Sequence, residues 1–425
     1  MTTHLIAFAD GLVMGTVTQA RSGQLTFSYS QEWLDSSAAY PLSISMPLAP
    51  EQYGQGKIEP FLWGLLPDNE IVLGQWARKF HVSPRNAFGL IANVGEDCAG
   101  AVQFVRPERL DAVRLGAPQE VQWLDEAAVA DRLRALRKDQ SAWRIPRDTG
   151  QFSLAGAQPK TALLLENGRW GVPSGRLPTT HILKPPTGEF DGHAENEHFC
   201  LHLARSFDLP AANSEIRRFE DQIAIIVERY DRLRTGRTIR RVHQEDVCQA
   251  LGLPPTKKYQ SDGGPGVREI AGLLTTFSTA PAQDTNTFVG AIAFNWLVAG
   301  IDAHSKNYAL LLGSESRVRL APLYDLASAL PYPGMRPIGL KLAMKIGGEY
   351  GLRNIAARHW RRLATEVRQN PEALLGKLRV TAEAMPDHVL RIQELAKGDG
   401  LVHPIVDRLS EKLIARAKEC GRLLK

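Results

Sequence analysis

An α+β fold in two lobes, the first strand-rich and the second mostly helical, is what this sequence predicts. Three observations lead there. At 425 residues the chain is long for one domain, and two to three are expected. Short apolar segments broken by Gly, Asn and Asp turns dominate as far as Asp231, whereas helical patterning dominates from Val242. The stretch Asn295 to Leu326 then reads as an Asp, an Asn five positions later, a short hairpin and a second Asp. The divisions this suggests are an α/β subdomain over 1–107, a linker and helix over 108–142, a first lobe over 143–231 and a helical lobe over 232–425.

Leu5 to Phe8, Asp10-Gly11 and Leu12 to Val17 read as a hairpin, with Leu25 to Tyr29 a third strand. From Pro60 the pattern turns helical. Asp68 is an expected N-cap for a helix through Trp76, and Ser83-Pro84 opens another by the cap-then-proline rule. Ala101 to Val105 returns to the sheet. This leading segment carries no evident catalytic group and reads as a scaffold or interaction surface. A charge- and proline-rich stretch, Arg106 to Pro118, precedes a helix expected near Val121 to Leu136.

From Trp143 the text changes. Gln151 to Thr161 (QFSLAGAQPKT) leads into a strand at Ala162 to Leu165 and a turn at Asn167-Gly168. Small residues Ala155, Gly156 and Ala157 between strands let backbone N–H groups approach a ligand. They also give the loop little packing of its own. The G-x-x-x-x-G spacing of a Walker A loop is absent, so a loop laid over phosphates from a hairpin fits better than a P-loop. Lys184 closes an apolar strand (HILK), where a kinase places its phosphate-pairing lysine, although taken alone it reads rather as an exposed edge lysine. Glu195 and Glu197 open a helix; either could hold that lysine, and both suit the helix dipole. Gln222 to Glu228 is a strongly apolar strand running into Arg229-Tyr230-Asp231-Arg232, a place for backbone groups to read an adenine edge with Tyr230 flanking the ring, or simply a buried central strand with a polar exit.

Further on, His243 to Leu251 reads as a capped helix, Tyr259 to Gly266 (YQSDGGPG) as an irregular loop, and Phe288 to Ala299 as a helix leading into Asp302. Tyr308 to Leu312 and Arg317 to Leu320 are the strands of the hairpin, with GSES as its turn. Helices are expected over Arg353 to Arg368, Pro371 to Ala384 and His403 to Leu423. The arginines of 353–368 read as a solvated face or a contact for nucleic acid phosphates.

The spacing D-x-x-x-x-N, with a second Asp beyond the hairpin, carries the chemistry. An Asp that accepts a hydroxyl proton, and an Asn and an Asp that share a hard cation, are what phosphoryl transfer from ATP requires. Asp302, Asn307 and Asp325 fill those places, although capping and turn formation use the same residue types. The net charge of +5 permits an acidic partner without demanding one. Four dispersed cysteines form no CxxC pair, which speaks against a disulfide framework or zinc site and suits a reducing cytoplasm. No secretory signal and no membrane-spanning run is read.

Taken in order, FSLAGAQPKTALL, HILKPP, ENEHFCLHLA, VERYDR, HQEDVCQALGLPPTKKYQSDGGPG, GIDAHSKNYALLL and LAPLYDLASALPY resemble the HipA family. Its members are serine/threonine kinase toxins of type II toxin–antitoxin modules. The QED…SDGGPG block is the most specific, since generic kinases lack it. The D-x-H-x-x-N form is closer to lipid kinases than to the usual HRD loop. The resemblance implies a protein-kinase-like, PI3/4-kinase-like fold, with ATP and Mg2+ as cofactors and non-specific serine/threonine protein kinase activity. It implies Asp302 as base, Asn307 and Asp325 as Mg2+ ligands, and Lys184 and His304 beside the phosphates. Ala155, Gly156, Ala157, Gln158 and Lys160 would form the phosphate loop, Glu228 and Tyr230 would contact adenine, and Tyr324 would join the nucleotide site. Ser153 stands where the family autophosphorylates, and Pro159 where a glutamate is more usual. The implied partners are a HipB-like helix-turn-helix antitoxin bridging two kinase chains on operator DNA, and an aminoacyl-tRNA synthetase substrate, chiefly the glutamyl enzyme. The presence of the leading α/β segment matches the full-length type. A small-molecule phosphotransferase of the aminoglycoside type and a non-catalytic co-repressor are the competing readings.

Overall fold

A computed structural model describes residues 2–115, 121–139, 142–143, 152–174, 177–186, 188, 190–236, 238–335, 337–398 and 401–425. Gln151, the first residue of the glycine-containing loop motif, lies outside them, as does part of the 106–118 stretch. The chain forms two compact units. The first is Met1–Pro185, Arg217–Pro255 and Ala309–Val318; the second is Pro186–Ile216, Thr256–Tyr308 and Arg319–Lys425.

The first unit opens with an antiparallel sheet in the order Gln52–Gly54, Leu25–Tyr29, Leu12–Gln19, Thr3–Ala9, Gln103–Val105. Asp10 and Gly11, both at positive φ, make the expected tight turn between the first two strands. Leu5, Met14 and Phe27 of this sheet share a buried core with Trp33 and Phe61. Two helix starts differ from expectation. Asn69, not Asp68, caps the helix Glu70–Phe80, its Oδ1 accepting from the N–H groups of Ile71 and Val72, because Asp68 gives its own N–H to the Gly156 carbonyl. Ser83-Pro84 lies in a turn closed by Asn86 N–H on the Ser83 carbonyl, and Asn86 caps the helix Ala87–Val94.

A second set of strands in the same unit lies side by side in the order Gln222–Glu228, His181–Lys184, Thr161–Glu166, Arg169–Pro173, Val121–Leu124. The last corrects the helix expected from Val121. Only Glu126–Lys138 is helical, capped by Asp125, while Val121–Leu124 pairs with the strand Arg169–Pro173, a distant partner that local periodicity cannot reveal. His243–Asp246 is likewise a strand, paired with Ala309–Gly313, and not the start of a helix. The capping box between Asp246 and Gln249 is real but serves only Val247–Ala250.

The second unit is built on the helices His193–Ser206, Val267–Phe277, Pro281–Val298, Ala357–Glu366, Pro371–Gly398 and Ile405–Leu423. Trp296 and Trp360 meet edge-on in its core, with centroids 5.4 Å apart. The buried Arg416 guanidinium donates to the Trp296 and Leu352 carbonyls. The helix from Pro371 does not stop at Ala384. It runs through Pro386, because Ala382, Met385, Val389 and Ile392 bury along one face and His388 stacks on Phe207, offsetting the lost N–H and the ring clash. The helix expected over Arg353 to Arg368 is shorter at both ends, Ala357–Glu366. Three of its region's arginines are tied to carboxylates: Arg353 to Glu419, Arg361 to Glu372 and Arg362 to Glu366. All four cysteines are buried thiols. Among the described residues no helix is long and apolar enough to cross a membrane.

Candidate active site

The second unit carries Asp302, His304, Asn307, Tyr324 and Asp325. Helix Pro281–Val298 delivers the first three. It ends on Ala299 in the left-handed region, and the Gly300 N–H bonds back to the Asn295 carbonyl at 2.8 Å. A Cβ at Gly300 would meet Asn295 Oδ1, so any larger residue here would displace the Asn295 side chain. Asn295 braces both ends of the loop 300–308, its carbonyl accepting the Gly300 N–H and its Nδ2 donating to the Tyr308 hydroxyl.

Inside that loop the His304 N–H bonds to the Asp302 carbonyl at 2.7 Å, and the Asn307 N–H to the His304 carbonyl at 2.9 Å. Ser305 is anchored from outside: its N–H and hydroxyl both donate to the Lys258 carbonyl, at 3.1 and 2.8 Å. Asp302 is left exposed, while His304 and Asn307 are buried. Burial pushes the His304 imidazole below its usual pKa; Asp302 and Asp325 pull the other way, and Lys258 and Lys306 assist the burial. His304 thus lies between two carboxylates close enough to act on it, and its buried Nδ1 has no hydrogen-bond partner among the described residues. Tyr324 is tied down by its hydroxyl on the Lys306 carbonyl at 2.6 Å. Asp325 follows at φ 59° and is exposed. The segment before it is fixed by Leu323, whose N–H and carbonyl bond Pro210 and Ala212 at 2.8 Å each.

The first unit carries Ser153, Ala155, Gly156, Ala157, Gln158, Lys160, Lys184, Glu228 and Tyr230. Gly156 sits at φ 101°, and a Cβ there would come within 2.7 Å of Lys160 Nζ. The Lys160 ammonium donates to the Ala155 carbonyl at 2.7 Å and lies 5.2 Å from the Trp143 ring centroid. Loop and lysine thus form a small cradle that a side chain at 156 would fill. Ala157 is at its exposed tip and Gln158 is half-buried. Lys184, buried at the end of its strand, pairs in register with Ile225 of the strand that ends at Glu228. Tyr230 follows, its hydroxyl donating to Gln244 Oε1.

The sequence leaves two functional candidates unmarked. Asp97 ties three segments of the first unit together. Its carboxylate accepts from the Thr179 N–H and hydroxyl at 2.9 and 2.7 Å and from Arg232 at 2.9 Å, with Arg229 and Arg241 at 3.6 and 3.5 Å. Its carbonyl accepts from the Ser153 N–H. Nothing in the sequence marks an aspartate so far upstream of the phosphate loop as its support. The other is Tyr259, whose hydroxyl donates to Asp302 Oδ1 at 2.5 Å. Its signal is present, since it lies in the YQSDGGPG block, but a tyrosine in an irregular loop names no partner.

The donor set suits ATP and Mg2+: one amide and one carboxylate oxygen is the sparse protein ligation Mg2+ takes beside substrate phosphates. The Gly156 cradle offers a close backbone approach for an anion.

A family model for the HipA-like C-terminal domain matches residues 152–389, and one for the HipA N-terminal domain matches residues 5–105. The putative kinase Y4mE of Sinorhizobium fredii is 36% identical over 416 residues, covering 96% of each chain. The serine/threonine-protein kinase toxin HipA of Shewanella oneidensis is 31% identical over 366 residues, 81% of this chain and 79% of that one. The structure of Shewanella oneidensis HipA with HipB and its operator DNA superposes with a TM-score of 0.84 at 25% identity, over 99% of this chain and 98% of that one. The α+β, kinase-like fold expected from the motifs is the fold found. By both family models and by identity along nearly its whole length, this chain belongs to the HipA family.

Proposed function

We propose that this protein is an ATP- and Mg2+-dependent serine/threonine protein kinase acting as the toxin of a toxin–antitoxin pair. The observation that carries the proposal is the loop of the second unit braced through Asn295 and Lys258, which leaves Asp302 exposed beside buried His304 and Asn307. In this reading Asp302 takes the proton of the acceptor hydroxyl as its oxygen bonds to the γ-phosphorus of ATP. ADP leaves with the electron pair of the broken bond. Asn307 and Asp325 hold Mg2+, which when bound offsets the charge of the phosphates. His304 lies beside the phosphates. Lys184 pairs the phosphates, the 155–160 loop covers them through its backbone N–H groups, and the segment from Glu228 to Tyr230 receives the adenine, with Tyr324 joining the nucleotide site. Ser153 is the proposed site of autophosphorylation.

The chemistry of the family suggests an aminoacyl-tRNA synthetase as acceptor, the glutamyl enzyme first, and hence a block on translation and growth arrest. A HipB-type helix-turn-helix antitoxin and operator DNA are the proposed partners, by analogy with the Shewanella complex. The test is transfer of labelled γ-phosphate from ATP into a bacterial lysate by the wild-type chain and by Asp302→Asn, with mass spectrometry of the labelled species. Label on serine of a synthetase, lost in Asp302→Asn, is the expected result. Label on small molecules points to an aminoglycoside-type phosphotransferase, and nucleotide binding without transfer to a co-repressor.

A further inference from the structure

The YQSDGGPG block, the family's most specific stretch, supplies no residue to the chemistry above. Its structure gives it one. The Tyr259 hydroxyl reaches Asp302 Oδ1 at 2.5 Å, and the Tyr259 ring stands edge-on to His304 with centroids 4.9 Å apart. The backbone on either side is fixed. Lys258 receives two hydrogen bonds from Ser305 through its carbonyl. Gln260 Oε1 accepts the Lys345 N–H at 2.7 Å, which ties the block to the strand Lys341–Ile346. The Tyr259 carbonyl itself accepts from the N–H groups of Asp262 and Gly264, both at 3.0 Å. A Cβ at Gly264 would collide with the Lys257 carbonyl oxygen, so the tight return needs glycine at that point.

The energetic consequence falls on Asp302. An exposed carboxylate with no fixed partner turns freely about its side-chain bonds, and a base that must meet an incoming hydroxyl in one geometry loses rate by that freedom. A phenol donating to a carboxylate is a charge-assisted hydrogen bond, stronger than a neutral pair. Taking Asp302 as the base, on which this step rests, we infer that Tyr259 is its positioning residue. The phenol holds Oδ1, and Oδ2 is thereby presented to the acceptor hydroxyl. The SDGGPG turn exists to seat that tyrosine beside the catalytic loop.

The test is steady-state transfer of labelled γ-phosphate from ATP into the protein fraction of a bacterial lysate by the full chain. Tyr259→Phe keeps the ring against His304 and removes only the hydroxyl. Its kcat is expected to fall about ten- to a hundredfold, the worth of one hydrogen bond to a charged group, with the KM for ATP and the melting temperature unchanged. A kcat equal to wild type overturns the assignment, as does a kcat that falls together with ATP affinity and melting temperature. No transfer by the wild type sinks the base assignment itself, which separates that failure from this one. If Tyr259→Phe misfolds, 3-fluorotyrosine at 259 decides, since it keeps both shape and hydroxyl. Its rate relative to wild type at the same pH is expected to drop as its more acidic phenol ionises and stops donating. A ratio constant through that ionisation overturns the inference.

Discussion

The Ser153 hydroxyl donates to the Leu65 carbonyl at 2.7 Å, with no surface of Ser153 exposed to solvent. The loop that follows Phe152 is therefore held by the leading subdomain, and not loose as its small residues suggest. Phe152 and Leu154, either side of Ser153, bury in the same core as Leu5 and Phe61. Ser153→Ala leaves the Leu65 carbonyl without that donor and is expected to cost about 1–3 kcal/mol of stability, read by thermal or denaturant melting. A phosphate at Ser153 carries a charge of about −1.5 to −2 and cannot stay fully buried against the Leu65 carbonyl. Phosphorylated protein should thus be cut by added protease near residues 152–158 where unmodified protein is not. Identical cleavage patterns would show that the loop stays seated.

Asp97 makes the second prediction. Burial would raise its carboxyl, but Arg232, then Arg229 and Arg241, override it and hold the pKa at about 2. Asp97→Asn removes one of the two buried carboxylates, with Asp231, that pair Arg229 and Arg232, a loss of about 3–5 kcal/mol for broken buried pairs. Thr179 and the Ser153 backbone hang on the same residue, so ATP affinity is expected to fall alongside stability. The depressed pKa also fixes a sign. Stability from Asp97 is fully present above the unfolded carboxyl range at pH ~4 and is lost as pH falls to about 2. Wild-type acid unfolding in that window should be blunted in Asp97→Asn. Equal acid limbs in the two proteins would remove Asp97 from this role.

Where sequence and structure agree or part follows from how local each signal is. Asp10-Gly11 and Asn167-Gly168 are legible as turns because the positive φ they adopt is a property of those residues. The hairpin after Asn307 is legible because its two strands, Ala309–Gly313 and Arg317–Leu320, are separated only by turn residues. His243–Asp246 is not, because its partner strand lies far downstream and the true cap at Asp246 imitates a helix start. Spacing singles out Asn307 and Asp325 as candidates, since it is a local signal. Asp97 and Tyr259 act through contacts that no spacing encodes, since one meets Phe152 and the other Asp302 only once the chain has folded back on itself.

Asp325 offers a test of the metal site with little structural disturbance. Its φ of 59° lies in the left-handed region, which Asp and Asn tolerate better than other side chains. Asp325→Asn should therefore fold and melt as the wild type does while losing one anionic oxygen. ATP affinity measured by calorimetry is expected to rise with Mg2+ in the wild type and to lose that dependence in the variant. Asp325→Ala confounds the two effects, since alanine in this conformation costs about 1–2 kcal/mol on its own. Wild-type ATP affinity that ignores Mg2+ would dismiss Asp325 as a ligand.

Glu245 supplies a prediction with the opposite pH sign. It is buried, with Oε1 accepting the Ile44 N–H at 2.8 Å and Oε2 without a hydrogen-bond partner among the described residues. Burial pushes its carboxyl up to about 8; the Ile44 and Ser43 contacts oppose the shift and Asp246 adds to it. The folded chain therefore keeps a proton at neutral pH that the unfolded chain, with a carboxyl pKa of about 4.3, has already released. Fewer protons on the unfolded state means that stability falls as pH rises. The fall begins at pH ~4.3 and is complete above pH about 8. Glu245→Gln keeps the acceptor for Ile44 and the side-chain volume but cannot ionise. It is expected to remove this decline and to leave the protein more stable than wild type at pH 8 and little changed at pH 5, read by denaturant midpoints across that range. A wild-type midpoint that stays level from pH 5 to 8, or a variant that follows the wild-type slope, would assign Glu245 an ordinary ionised state. The strand it lies on, His243–Asp246, pairs with Ala309–Gly313, and its helix is bound through Gln249 to the Phe61 carbonyl at 2.9 Å, both contacts lying within the first unit. Glu245→Gln should for that reason leave kcat unchanged at pH 7 while shifting only the stability profile, which separates a structural proton from a catalytic one.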